Sequence, residues 1–144
     1  MRAAIHHPSL TRYILRTQEG TKHHVFGVQV GRWAVRFAEE GHPKCVGGYL
    51  PEPEVAPWRI DHIPSGFVAA AFSTPEGAHG FADDISRFNT KDPASRDLRR
   101  ALSQITPVIR AWAADTSVDN YIPFRQWYEE KMGEPWRPGL KLCG

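Results

Sequence analysis

Between residues 26 and 37 large apolar side chains recur at every second position: Phe26, Val28 and Val30, then Trp33, Val35 and Phe37. A period of two is that of a strand with one buried face. The residues between the two runs, Gly31 and Arg32, suit a two-residue type II′ loop, which takes glycine at its first central position. With that loop Val30 faces Trp33, Val28 faces Val35 and Phe26 faces Phe37, so one register gathers six bulky apolar side chains on one side of a hairpin. Gln29 with Ala34 and Gly27 with Arg36 make the other side. Trp33 and Phe37 are also i,i+4 partners, and a short helix over 33–40 ended by Gly41 is the competing reading.

The remaining pattern extends this frame in both directions. Residues 11–17 carry β-branched and aromatic side chains and run into Gln18, Glu19 and Gly20, which predicts a first strand at a sheet edge followed by a turn. Residues 58–63 and 67–72 flank Pro64, Ser65 and Gly66 and read as a second hairpin. Between the hairpins, residues 41–57 are crowded with Gly and Pro and form a long connection, a kind of segment that often carries function. The small side chains of Ala69, Ala70 and Ala71 call for a close neighbour, and a helix follows at once. Thr74 suits its N-cap, Pro75 its first position and Glu76 its positive end, while Ala78, Phe81, Ala82, Ile85 and Phe88 form an apolar stripe. A second helix is expected to start with Asp92 as cap and Pro93 as first residue. It buries Leu98, Ala101, Leu102, Ile105, Ile109 and Trp112, with Pro107 kinking or ending it. A third, over 123–132, buries Phe124, Trp127 and Tyr128 and stops at Gly133, and the residues from 134 onward form an irregular tail. The expectation is a single α+β domain over 1–144: an antiparallel sheet of two hairpins from the N-terminal half, packed by two to three helices from the C-terminal half.

Composition narrows the classes. A hydrophobic fraction of 41% and a charged fraction of 24% are those of a folded domain rather than a disordered chain or a fibre. Twelve Gly and twelve Pro exceed ordinary usage and fit short elements joined by ordered turns. The N-terminal residues lack the apolar core of a secretion signal, and no stretch approaches the length needed to cross a bilayer, so a cytoplasmic protein with no membrane partner is expected. The two cysteines, Cys45 and Cys143, stand too far apart in sequence to suggest a disulfide framework. A net charge of +2 is compatible with nucleic acid without demanding it.

Three constellations could carry chemistry. His23 and His24 with His42 and Cys45 are the nearest approach to a zinc set. The paired short spacings of structural zinc are missing, and adjacent histidines in a strand point to opposite faces, so solvated histidines are the preferred reading. Asp61, His62 and Ser65 could be drawn as a nucleophile with its base and orienting acid, the outline of a small His-dependent hydrolase. Adjacent strand residues cannot both face Ser65, however, and Pro64-Ser65-Gly66 is ordinary turn chemistry. Finally, Arg96, Arg99, Arg100 and Arg110 fall on the predicted second helix, the first three within a turn, where they could meet phosphates or an acidic protein. Asp92 and Asp97 dilute that field. On the tail, Trp136 beside Arg137 has the composition of a binding hot spot. No phosphate loop, dinucleotide fingerprint or helix-turn-helix pattern is present, and no cofactor is expected.

The run from Trp58 to His62, through Ser65, Gly66 and Phe67 to Phe72, Ser73, Thr74, Pro75 and Glu76, and on to Phe81 and Ala82, resembles a strand-turn-strand-helix module of small accessory proteins from phages and mobile elements. That resemblance implies a non-enzymatic inhibitor of host defence, of the anti-CRISPR kind, docking on a host protein or ribonucleoprotein. Direct nucleic-acid binding and a metal- or His-dependent hydrolase are the alternatives.

Overall fold

The computed structural model describes residues 10–17, 20–38, 53–88 and 92–121. Period-two patterning becomes an antiparallel sheet of six strands in chain order: β1 (Leu10–Arg16), β2 (Lys22–Val30), β3 (Trp33–Phe37), β4 (Trp58–His62), β5 (Phe67–Phe72) and β6 (Asn120–Tyr121). The hairpin of β2 and β3 has the expected register, Val30 opposite Trp33 and Val28 opposite Val35, turning at Gly31 with φ +64°. That geometry excludes the helix over 33–40. β2 begins earlier than the apolar run does, at Lys22, because β1 pairs with it along its whole length. The two hairpins are joined edge to edge by β3 and β4, and Ala38 N–H donates to the Pro57 carbonyl at 2.8 Å, clamping the ends of the long connection. Residues 39–52 of that connection lie outside the described residues, as do the predicted helix over 123–132 and the tail with Trp136 and Arg137.

Among the described residues three helices follow: α1 (Pro75–Arg87), α2 (Leu98–Gln104) and α3 (Thr106–Ala114). α1 starts as its sequence predicts, Thr74 Oγ1 accepting from the Gly77 amide at 3.1 Å. The second helix departs from expectation at both ends. Asp97, not Asp92, is its cap, accepting from the amides of Arg99 and Arg100, and Pro93 sits in a turn instead. Asp97 wins because the next residue, Leu98, is the first that the core buries. Farther along, the helix breaks at Ile105 (φ −110°, ψ 19°), and α3 restarts with Pro107 in its first turn, where a missing amide hydrogen costs nothing.

The helices cover one face of the sheet. Trp33, Ile60, Phe72, Phe81, Ile85, Leu102, Ile105 and Ile109 are all but removed from water there, at roughly 1.5–3 kcal/mol of transfer free energy each. Phe72, Phe81 and Trp112 meet with ring centroids 5.3–5.9 Å apart, and Trp112 Nε1 donates to Asp84 Oδ2 at 2.9 Å, tying α3 to α1. A second, smaller core lies on the opposite face, where Tyr13, Leu15 and Val25 meet Ala34, Val68 and Ala71. For β1 to touch β5 the sheet must coil, and the seam is visible: Arg16 N–H donates to the Gly66 carbonyl at 2.6 Å. Gly66, with φ +81°, permits that approach, since a Cβ there would lie 2.9 Å from both the Ile14 carbonyl oxygen and Arg16 Cγ. The concave face therefore holds the small core and the convex face carries the helices.

Candidate functional site

Alternation along β1 and β2 sorts their side chains by face. Tyr13, Leu15 and Val25 turn inward, whereas Arg12, Ile14 and Arg16 on β1 and Lys22, His24 and Phe26 on β2 stand on the convex side. Cross-strand neighbours there are Arg12 with Phe26, Ile14 with His24, and Arg16 with Lys22. Neither strand contains an acidic residue. Basic and apolar side chains thus share a surface that the helices leave uncovered.

This surface forms one wall of an open groove of about 750 Å³. Arg12, Tyr13, Ile14, Arg16 and His24 line it from the ribbon; Ile63, Pro64 and Gly66 close it from the β4–β5 turn; Ala94 and Arg96 complete it from the segment before α2. Three guanidinium groups and an imidazole border the groove, and among the described residues no carboxylate does. Arginine's planar fork matches phosphate or carboxylate oxygens in pairs, so the chemistry of this lining is anion recognition with apolar contact from Ile14, Ile63 and Pro64.

The arginines singled out from sequence are dispersed rather than gathered. Arg96 precedes the helix and lines the groove; Arg99 and Arg100 are exposed on the first turn of α2 and lie outside the lining. Arg110 is on α3, beyond the break at Ile105. Arg100 Nε approaches Asp92 Oδ2 at 3.5 Å, a solvent-exposed pair of small energetic value. The interruption expected at Pro107 is present, at Ile105 two residues before it; what the expectation of a helix starting at Pro93 lacked is the cap at Asp97, which leaves Arg96 outside the helix.

The concave face holds charges of a different kind. Arg36 donates from Nε to Asp61 Oδ2 at 2.6 Å and from Nη2 to Asp61 Oδ1 at 3.2 Å, and the Tyr13 hydroxyl donates to Asp61 Oδ2 as well. All three side chains are buried, as is Arg59, which sits directly across from Arg36 in the ladder. Gly27 makes room for this arrangement, since a Cβ there would fall 2.8 Å from the tyrosine oxygen. Burial, then the Asp61 charge, raises the Tyr13 pKa far above its ordinary value, so the phenol stays a donor. Burial and the neighbouring Arg36 lower Arg59 to about 10, still protonated at neutral pH. Burial alone would lower the Arg36 pKa; Asp61 and Tyr13 outweigh it and hold the pKa above the usual arginine value.

Asp61 and His62 face opposite sides of the sheet. His62 Nδ1 shares a hydrogen bond with Ser65 Oγ at 2.9 Å, and Ser65 Oγ also accepts from the Phe67 amide at 3.2 Å, which locks the β4–β5 turn. Both side chains are buried, and His62 Nε2 has no hydrogen-bond partner among the described residues. Burial, with the Arg32 charge adding to it and Asp97 opposing, lowers the His62 pKa to about 4. The Asp61–His62–Ser65 outline is therefore a Ser–His pair in a turn and a carboxylate engaged elsewhere. His23 and His24 pair with Leu15 and Ile14 in the ladder, and the described residues contain no group of three metal-ligating side chains; His42 and Cys45 lie outside them.

What sequence reasoning missed was Arg12, Arg16 and His24. The signal was legible: two consecutive strands that carry alternating basic residues and, within the strands themselves, no acid. Among the described residues no helix is long and apolar enough to cross a membrane. No protein-family model matches the chain, and the searches of curated proteins and of solved structures return no match to it.

Proposed function

We propose that this protein is a non-enzymatic binding module that takes nucleic acid, free or within a ribonucleoprotein, along the β1–β2 face and its groove. The observation that carries the reading is the lining itself: Arg12, Arg16, Arg96 and His24 converge with no carboxylate among the described lining residues, and the first two and His24 stand on strands free of acidic residues. A protein of net charge +2 that brings three arginines and a histidine to one groove presents a local field larger than its total suggests. Arg99 and Arg100, exposed on the first turn of α2, offer a secondary basic surface; Arg110 on α3, and Trp136 and Arg137 outside the described residues, are further candidates of the same chemistry. In the setting implied by the mobile-element resemblance, such a module would reach a host defence complex through the nucleic acid that complex carries, as an anti-CRISPR-type inhibitor in the cytoplasm.

Fluorescence anisotropy against labelled oligonucleotides at varied salt tests this directly. Two to three phosphate contacts predict a log–log salt slope of about −2. The triple variant Arg12→Glu, Arg16→Glu, Arg96→Glu should bind at least roughly tenfold more weakly and flatten that slope. Wild-type affinity that ignores salt, or a triple variant that binds as well as wild type, removes the groove from the account.

A further inference from the structure

The sheet register lines up a row of side chains across the convex face. Arg12 on β1 is opposite Phe26 on β2, and Phe37 on β3 is opposite Trp58 on β4. The β2–β3 register, Val28 with Val35, carries Phe26 to the level of Phe37. Helices roof Trp33, Val35 and Ile60 but leave this row open, with Phe26 56% and Phe37 48% exposed. Phe37 is braced edge-on against Trp58, ring centroids 5.0 Å apart at 68°. Isolated exposed apolar residues need no explanation, but two aromatic rings on neighbouring strands, next to a guanidinium and running into a cationic groove, form a continuous surface.

We infer that this row is a stacking platform for the bases of a single-stranded nucleic acid, whose phosphates run along Arg12, Arg16 and Arg96. The inference rests on the binding role proposed above and narrows its substrate class. Neighbouring strands are about 4.8 Å apart, so rings on β2 and β3 can receive successive unpaired bases. Duplex bases have their faces already stacked and offer nothing to an exposed phenylalanine. Charge complementarity selects this occupant over an apolar peptide or a second copy of the chain, because Arg12 stands opposite Phe26 and the charged side chains among the described residues lining the adjoining groove are basic, so that a second copy would bring like charge to like.

The test is a titration of the full chain with labelled single-stranded oligouridylate and oligothymidylate of about 12 nucleotides and a duplex of equal length, at low and moderate salt. Either single strand should bind at least roughly tenfold more tightly than the duplex, and Phe26→Ala should weaken single-strand binding roughly tenfold with the salt slope unchanged. Phe37→Ala should act in the same direction. Arg12→Ala should instead reduce the slope by about one. Duplex bound as tightly as single strand, or an undiminished Phe26→Ala variant, overturns the platform while the groove reading stands. Absence of salt-sensitive binding to any of the probes overturns both. A wild-type dimer in sedimentation that Phe26→Ala dissociates assigns the row to a second copy and overturns the platform as well.

Discussion

The two faces of the coiled sheet treat charge in opposite ways. On the concave face Arg36, Arg59 and Asp61 are withdrawn from water, and Asp61 gathers hydrogen bonds from Arg36 and Tyr13. On the convex side Arg12, Arg16 and Arg96 stand in solvent around a groove with no carboxylate among its described lining residues. Buried charge is tolerable only when paired and hydrogen-bonded, so the concave group is bound to the fold and cannot be spent on a ligand without cost. Exposed charge contributes little to folding and is left free to meet a ligand. The same residue type is buried and paired on one side and exposed to solvent on the other, and for the strand arginines alternation along the strand decides which.

The sharpest way to break this comparison is Asp61→Ala. The change leaves the Arg36 guanidinium without the carboxylate that accepts two of its hydrogen bonds, and removal of one partner from a buried pair costs about 3–5 kcal/mol. For a domain of this size that is a fall in melting temperature on the order of 10 °C. A loss below about 1 kcal/mol in urea unfolding would mean that the concave charges are not held by one another, and the contrast would fail.

A second effect, somewhat smaller, comes from His62. Its pKa falls from 6.5 in the unfolded chain to about 4 in the fold, so the unfolded state takes up a proton first as pH drops. Stability contributed by the neutral imidazole is fully present above pH 6.5 and is lost between there and about pH 4, at a limiting slope near 1.4 kcal/mol per pH unit. Wild type and His62→Gln should therefore converge in stability as pH falls through that window. Parallel profiles would show that the histidine is not held neutral by its burial.

How much of this was legible in advance differs between the faces for a physical reason. The β2–β3 hairpin, the Thr74 cap and the stripe of α1 are local, each fixed by residues within a few positions, and all appear as the pattern predicts. The start of α2 is local too, yet Asp92 and Asp97 both look like caps; only the burial of Leu98 decides between them. The groove needs β1 brought against the β4–β5 turn, about fifty residues away in sequence, through the Arg16–Gly66 hydrogen bond. No periodicity encodes that closure. The Tyr13–Arg36–Asp61 cluster needs three strands in register and a glycine at 27 to admit the phenol, so its members look in sequence like any other strand residues.

The smallest expected effect sharpens the contrast most, because its meaning lies in being small. Arg12 is exposed, and its convex neighbour across the ladder is Phe26 rather than an acid. Arg12→Ala should leave unfolding free energy within about 0.5 kcal/mol of wild type, as surface changes away from structural features do. Measured in the same urea titration as Asp61→Ala, it separates an arginine the fold needs from one it does not. Should Arg12→Ala cost as much as the loss of Asp61, the guanidinium on the convex face would be bracing the ribbon, and a groove lined by structural cations would have little left to offer a phosphate.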